Sequence, residues 1–216
     1  MGRTSTARER LIDATGELMR SRSYSSLGVA EICAKAEVKK GSFYHFFESK
    51  QALTIEAINA YWEAERGCWT AELAATGPAL DRLRRLLDTM AQLQRRMKET
   101  SGTVDGCLLG NLTLELSTQE PAVRARLEEV FDEQIALVVG TLNDAADEGT
   151  IPRERATATT ARAVVAHLEG LVMFAKVKND PAVLDELWPH TLLLLGAADH
   201  PPDARTPHSQ PTAQLD

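Results

Sequence analysis

The stretch VAEICAKAEVKKGSFYHFFESKQAL, from Val29 to Leu53, decides how the chain is read. Two short apolar stripes, Val29–Ala36 and Lys40–Phe47, are separated by about three residues, the dimensions of a helix-turn-helix. Val29, Ile32, Val38, Phe43 and Phe47 supply a small core behind the second helix. Lys39, Lys40, Ser42, Tyr44 and His45 are left to face outward, and Gly41 permits close approach of a backbone. A helix that enters a major groove needs this division: apolar behind, polar and basic in front, phosphate anchors at the sides. Ser49 reads as the N-cap of a following long helix, and Tyr44, Ser49 and Lys50 are the expected phosphate ligands.

Outward from this stretch the chain reads as helix throughout. An opening helix runs from about Ser5 to Ser21, carrying Leu11, Ile12, Leu18 and Met19. Beyond Ser49 come a long helix to Gly77-Pro78, a second through Leu80 to Met97, a short one over Cys107–Ser117, and a long one from Pro121 to Gly149. A strict three–four spacing from Ala161 to Ala175 and a last helix over roughly Pro181 to Ala198 complete the set. Aromatics are only 5% of the 216 residues, which favours an all-α fold over an all-β one. The expected organisation is a helix-turn-helix domain over 1–50, with the helix from about residue 50 linking it on. A helical domain follows over 51–198, and 199–216, rich in Pro, Asp, Thr, Ser and Gln, is expected to be disordered.

The whole chain carries a formal charge of −7, which taken alone argues against a nucleic-acid partner. The charge is unevenly spread. The first fifty residues hold nine basic and six acidic side chains, net +3, and the remainder is net −10. With a screening length of ~8 Å, the acidic body does not cancel a basic surface a domain away. Three widely spaced cysteines, Cys33, Cys68 and Cys107, form neither a disulfide framework nor a metal-spaced cluster, and suit a reducing cytoplasm. No apolar run is long enough to span a bilayer, and Met1–Ser5 starts no signal peptide. No metal and no cofactor is expected. The absence of a Gly-rich phosphate loop, a nucleophile elbow or a His/Cys/Asp cluster argues against an enzyme.

The segment Val29–Cys33 through Val38–Leu53, with Gly41-Ser42-Phe43-Tyr44 and Ser49-Lys50-Gln51-Ala52-Leu53 at fixed offsets, resembles the TetR/AcrR family of transcriptional regulators. The resemblance covers roughly residues 8 to 60. It implies a three-helix DNA-binding domain, a C-terminal helical domain that binds a small-molecule effector, and a homodimer that reads double-stranded operator DNA. The chain departs from the family pattern in four places. Glu37 stands where a glycine is usual, Gly28 and Lys39 stand where Ser or Thr often caps a helix, and Phe46 occupies a place often held by histidine.

Two further expectations follow. Leu192–Leu195 is apolar on every side, so the last two helices are expected to pair with the same helices of a second copy. The effector is expected among Trp62, Trp69, Met90, Phe131, His167, Met173 and Phe174, with Cys107, Asn111 and Lys176. Cys107 stands at an apparent helix start, where the helix field and an ammonium such as Lys176 would lower its thiol pKa and make it a target for electrophiles or oxidants. The segment Gly106-Cys107-Leu108-Leu109-Gly110-Asn111 is similar to a branch of the family that includes electrophile-responsive repressors, a weaker match than the helix-turn-helix. The sequence favours a ligand-responsive repressor. The alternative is a helical small-molecule-binding protein that no longer binds DNA.

Overall fold

The structure is a computed structural model that describes residues 6–197; the expectation of disorder over 199–216 lies outside the described residues. Nine α-helices and no strand are found among the described residues: α1 (Ala7–Ser21), α2 (Val29–Lys35), α3 (Lys40–Phe46), α4 (Lys50–Leu73), α5 (Ala79–Ser101), α6 (Leu108–Leu116), α7 (Pro121–Asp147), α8 (Ala158–Lys178) and α9 (Leu187–Leu195). The chain is all-α, as its periodicity predicts.

Local chemistry explains the boundaries. Thr6 and Glu9 close a capping box at the start of α1, each binding the other's backbone N–H, at 3.2 and 2.7 Å. Ser49 Oγ accepts from the Ala52 amide at 3.0 Å and caps α4. Between α2 and α3 the chain reverses through a left-handed residue. The Glu37 and Val38 amides donate back to the carbonyls of Ala34 and Cys33, at 3.2 and 2.9 Å. That residue is Glu37, at φ 53°, which accounts for the glycine usual in the family at this place.

The last helix differs from expectation. Pro181–Glu186 forms a 3-10 turn and the α-helix begins only at Leu187. Pro189 explains the break. It has no N–H to donate, its ring crowds the carbonyl four residues back, and it disfavours helical backbone at Trp188. It is tolerated where it stands because the first turn of a helix has no internal partner for that N–H.

Two cores hold the molecule. The smaller gathers Leu11, Ile12, Ile32, Cys33, Phe43 and Phe47 around α1–α3, and takes Leu53 and Ala57 from the start of α4. The larger runs through α4, α5, α6, α7, α8 and α9 and includes Ile58, Trp62, Leu83, Leu109, Val130, Leu168 and Leu195. α4 therefore belongs to both: it starts at the boundary expected at residue 50, and the small core extends past that boundary to Leu53 and Ala57. Glu148, the residue that caps α7, accepts the Ala79 amide and so also closes the start of α5.

Candidate nucleic-acid interface and cavity

α3 is positioned by its inward face. Phe43 is wholly buried and Phe47 nearly so, their rings 5.9 Å apart. One residue to the side, the helix presents Lys40, Gly41, Ser42, Tyr44 and His45 to solvent, with Lys39 at its N-cap. Tyr44 is 60% exposed, a large aromatic that the fold does not cover. A Cβ at Gly41 would meet nothing within 4 Å, so packing inside this chain does not require a glycine there. Six of the eight residues expected to meet DNA thus share one outward face.

The other two face inward. Ser49 spends its oxygen on the α4 cap. Lys50, expected as a phosphate ligand, donates to the carbonyls of Tyr24 and Leu27 at 2.9 and 3.0 Å and lies 3.8 Å from the centre of the Tyr24 ring. Burial pushes its pKa down. The sequence could not show this, because its partners are carbonyls of a turn before α2.

That turn, Tyr24–Ser26, is gripped from the larger domain as well. Glu115, near the end of α6, accepts from Ser23 Oγ (2.5 Å), the Tyr24 amide (2.9 Å), and both the amide and hydroxyl of Ser25 (2.9 Å each). These donors hold the carboxyl down at about 2 against the cost of its partial burial. Glu120 accepts from the Tyr24 hydroxyl at 3.1 Å and from Gln51 Nε2 at 2.5 Å.

At its other end α6 begins beside a cavity of about 240 Å³. Cys107, Asn111, Phe131, Glu169 and Lys176 line it, together with Met173 near its exposed rim. Inward of Cys107 a gap of about 30 Å³ is lined by Tyr61, Glu65, Trp69, Met90, Gln134 and Glu169. Tyr61, Glu65 and Met90 also border a groove of about 580 Å³ between α1, α4 and α5. The loop before Cys107 is fixed by buried Gln94, whose amide exchanges hydrogen bonds with the Gly106 backbone at 3.4 and 3.3 Å.

The local motif has a steric logic. Gly106 sits at φ +80°, and a Cβ there would lie 3.0 Å from Lys176 Cδ. A Cβ on Gly110 would fall 2.6 Å from Glu169 Oε2. Lys176 donates to Asn111 Oδ1 at 2.9 Å, and Asn111 Nδ2 to the Asp105 carbonyl at 3.2 Å. The two glycines let α8 bring a lysine and a glutamate against the start of α6.

The expected activation of Cys107 is corrected by this geometry. Burial, then the Glu169 carboxylate, push the thiol well above its ordinary pKa, while the Gly110 amide pulls it back by less. The Lys176 ammonium is bound to Asn111 instead. Glu169 is raised to about 7, chiefly by burial. Glu65 is also raised by burial, with the neighbouring Tyr61 and the Arg20 charge acting against it.

Of the expected pocket residues, the structure brings Cys107, Asn111, Phe131, Met173 and Lys176 to the cavity and Trp69 and Met90 to the inner gap. Three others lie elsewhere. Trp62 is core, its indole N–H donating to Glu133 at 2.8 Å. His167 stacks 5.7 Å from His190 where α8 meets α9. Phe174 is 51% exposed, on the outer face of α8 with Val177. Glu65, Gln134 and Glu169 were not anticipated. The signal for Glu169 is a single carboxylate within the apolar run from Val164 to Ala175.

Comparison with known proteins agrees with this architecture. Residues 11–57 match the model of bacterial regulatory proteins of the tetR family, and residues 79–191 match the tetracyclin repressor-like C-terminal domain. The HTH-type transcriptional repressor DhaR of Mycobacterium sp. (strain GP1) is 28% identical over 86% of this chain and 90% of its own. The HTH-type transcriptional repressor NemR of Escherichia coli is 32% identical over 63% of this chain and 67% of its own. The crystal structure of regulatory protein TetR from Rhodobacter sphaeroides superposes with a TM-score of 0.77 at 28% identity, covering 87% of this chain and 97% of that one. Regulators of this kind bind operator DNA and small-molecule effectors, typically as dimers. With its helix-turn-helix and its C-terminal bundle both matched, the chain belongs to the TetR family of transcriptional regulators.

Proposed function

We propose that the chain is a repressor that holds operator DNA as a homodimer and releases it when a small electrophile or oxidant enters the cavity at Cys107. The two heads would be joined through α8 and α9, whose outer surface leaves Phe174, Val177 and Leu193 exposed at 51, 77 and 74%. Exposed apolar side chains in a row on paired helices are what a second copy covers. Lys39, Lys40, Gly41, Ser42, Tyr44 and His45 are the residues we assign to DNA. We leave Ser49 and Lys50 to bracing the domain.

One observation carries the reading. A single helix of nine residues, α6, starts at the cavity thiol and ends with Glu115 on the turn that leads into α2. At ~1.5 Å rise per residue, a shift at its first turn reaches that turn through about 13 Å of rigid rod. Two readers joined about a two-fold axis must sit one DNA turn apart, ~34 Å or a multiple, so a small reorientation of each defeats simultaneous docking. The dependence of release on Cys107 is the expected signature.

Fluorescence anisotropy with the DNA upstream of the chain's own coding region tests this. The wild type is expected to bind, and N-ethylmaleimide to release it. Cys107→Ser should bind and stay bound. Release that persists in Cys107→Ser sinks the thiol trigger, and no binding at low salt favours the helical binder that has lost DNA.

A further inference from the structure

The sensor reading leaves a chemical difficulty, because Cys107 is held as a neutral thiol and a thiol is a poor nucleophile. The neighbourhood offers one group that can take its proton. The Glu169 carboxylate lines the cavity beside the thiol, and a Cβ on Gly110 would lie 2.6 Å from Glu169 Oε2 and 3.7 Å from Cys107 Cβ, so the two side chains crowd the same point. The cavity next to them, about 240 Å³, takes its apolar lining from Leu114, Phe131, Val172 and Met173 and its polar lining from Asn111, Glu169 and Lys176. An independent sign of a ligand lies just inside. Gln134 is 3% exposed, its Oε1 has no hydrogen-bond partner, and it borders the inner gap with Cys107 and Glu169.

Resting on the proposed sensor function, we propose that Glu169 is the proton acceptor through which Cys107 adds to small, uncharged α,β-unsaturated carbonyl compounds. In that step the S–H bond breaks and its proton passes to a Glu169 oxygen. The sulfur pair forms the bond to the β carbon, and the C=C electrons move toward the carbonyl oxygen. Glu169 then returns the proton to the α carbon, so S–H has been added across the double bond and nothing is oxidised. An addition suits this site because no leaving group has to be expelled. At the sulfur an anionic compound would meet the Glu169 and Glu65 carboxylates, while the Lys176 ammonium on the cavity wall is already held by Asn111 at 2.9 Å.

The titratable groups facing Glu169 are Cys107 at the N-cap of α6, Tyr61 and Glu65 from α4, and Lys176 from its own helix. Arg20 of α1 stands behind Tyr61 and Glu65. From α5 and α7 the neighbours are Met90, Gln94, Phe131 and Gln134, none of which titrates between pH 5 and 9. Glu169 at about 7 is therefore placed to be an available base at neutral pH.

The test is the alkylation rate of Cys107 in the full chain with N-ethylmaleimide from pH 5.5 to 8.5. Peptide mass spectrometry reports Cys33, Cys68 and Cys107 separately. The wild-type rate at Cys107 should rise and then bend near pH 7. Glu169→Gln should be at least tenfold slower at pH 7 and climb steadily with pH, without the bend. Gly110→Ala keeps both reacting groups and forces them apart, so it should also be slower at an unchanged helix content. If Glu169→Gln reacts as fast as the wild type or faster, the carboxylate only holds the thiol neutral and the proposal is overturned. A wild-type Cys107 left unlabelled while Cys68 reacts overturns it too. The sensor reading fails on a different result, DNA release that survives Cys107→Ser.

Discussion

Glu115 and Glu169 stand against opposite ends of α6 and have been driven in opposite directions. Four donors from the Ser23–Ser25 turn bring Glu115 down to about 2. Burial with a thiol for company lifts Glu169 to about 7. The difference shows what each end is for. A carboxylate with every donor supplied from another part of the fold is a fastener, and its energy lies in staying ionised. One brought into an apolar cavity with few donors is held ready for a proton, at a standing cost to the folded chain.

The same substitution should therefore act with opposite signs. Glu115→Gln is expected to cost about 1 kcal/mol at pH 7, discounted for the carboxylate's exposure to solvent, because the amide accepts less strongly and turns an NH₂ toward donors. A carboxyl whose folded pKa lies below its unfolded value adds stability above the unfolded value and loses it as pH falls through the folded one. The difference between Glu115→Gln and the wild type in urea midpoint should then shrink from pH 5 toward pH 2. A difference independent of pH would break the comparison at this end.

Glu169→Gln should do the reverse. Its folded pKa lies above the ordinary 4.5, so ionisation opposes folding, and stability is lost as pH rises from about 4.5 through about 7. Removing the charge should raise stability at pH 8 by about 1–2 kcal/mol, discounted for the carboxylate's partial exposure, and by little at pH 5. Urea unfolding at the two pH values checks this. A loss of stability at pH 8 would make Glu169 a fastener like Glu115.

Lysines repeat the contrast in the small domain. Lys50 has its partners inside the fold, whereas Lys39 and Lys40 are exposed and form no ion pair among the described residues. Lys50→Met should lower stability by about 1 kcal/mol while leaving the salt dependence of DNA binding unchanged. Lys40→Ala should leave stability nearly unchanged and reduce the slope of log K against log salt by about one. Anisotropy titrations between 50 and 200 mM salt separate the two.

How much of this was legible in the sequence follows from where partners come from. The helix-turn-helix was readable because Phe43 and Phe47 are one turn apart, so local spacing alone fixes which side of α3 is buried. The cap at Ser49 is equally local. The partners of Lys50 were not legible because the Tyr24 and Leu27 carbonyls reach it only once α4 packs beside the turn. At the cavity the glycines flanking Cys107 were visible, but not that α8 places Lys176 over one and Glu169 over the other. Trp62, His167 and Phe174 share helical stripes with pocket residues and differ by the rotation of one helix against its neighbours, which periodicity does not supply.

Glu37 is the smallest case and the most local. Its backbone is left-handed at φ 53° in the turn that sets α3 against α2, and its side chain is exposed there. An L side chain in that region costs ~1–2 kcal/mol, and glycine recovers part of it while losing more entropy on folding. Glu37→Gly should therefore stabilise the small domain by about 0.5–1 kcal/mol. It also removes a negative charge two residues before Lys39, so DNA affinity should rise slightly at low salt and converge with the wild type as salt is added. Hydrogen exchange at the Val38 amide, which closes the turn on the Cys33 carbonyl, reads the first effect without DNA present. If that amide exchanges faster in the glycine variant, the departure from the family pattern is an adaptation of the turn and not a strain carried by it.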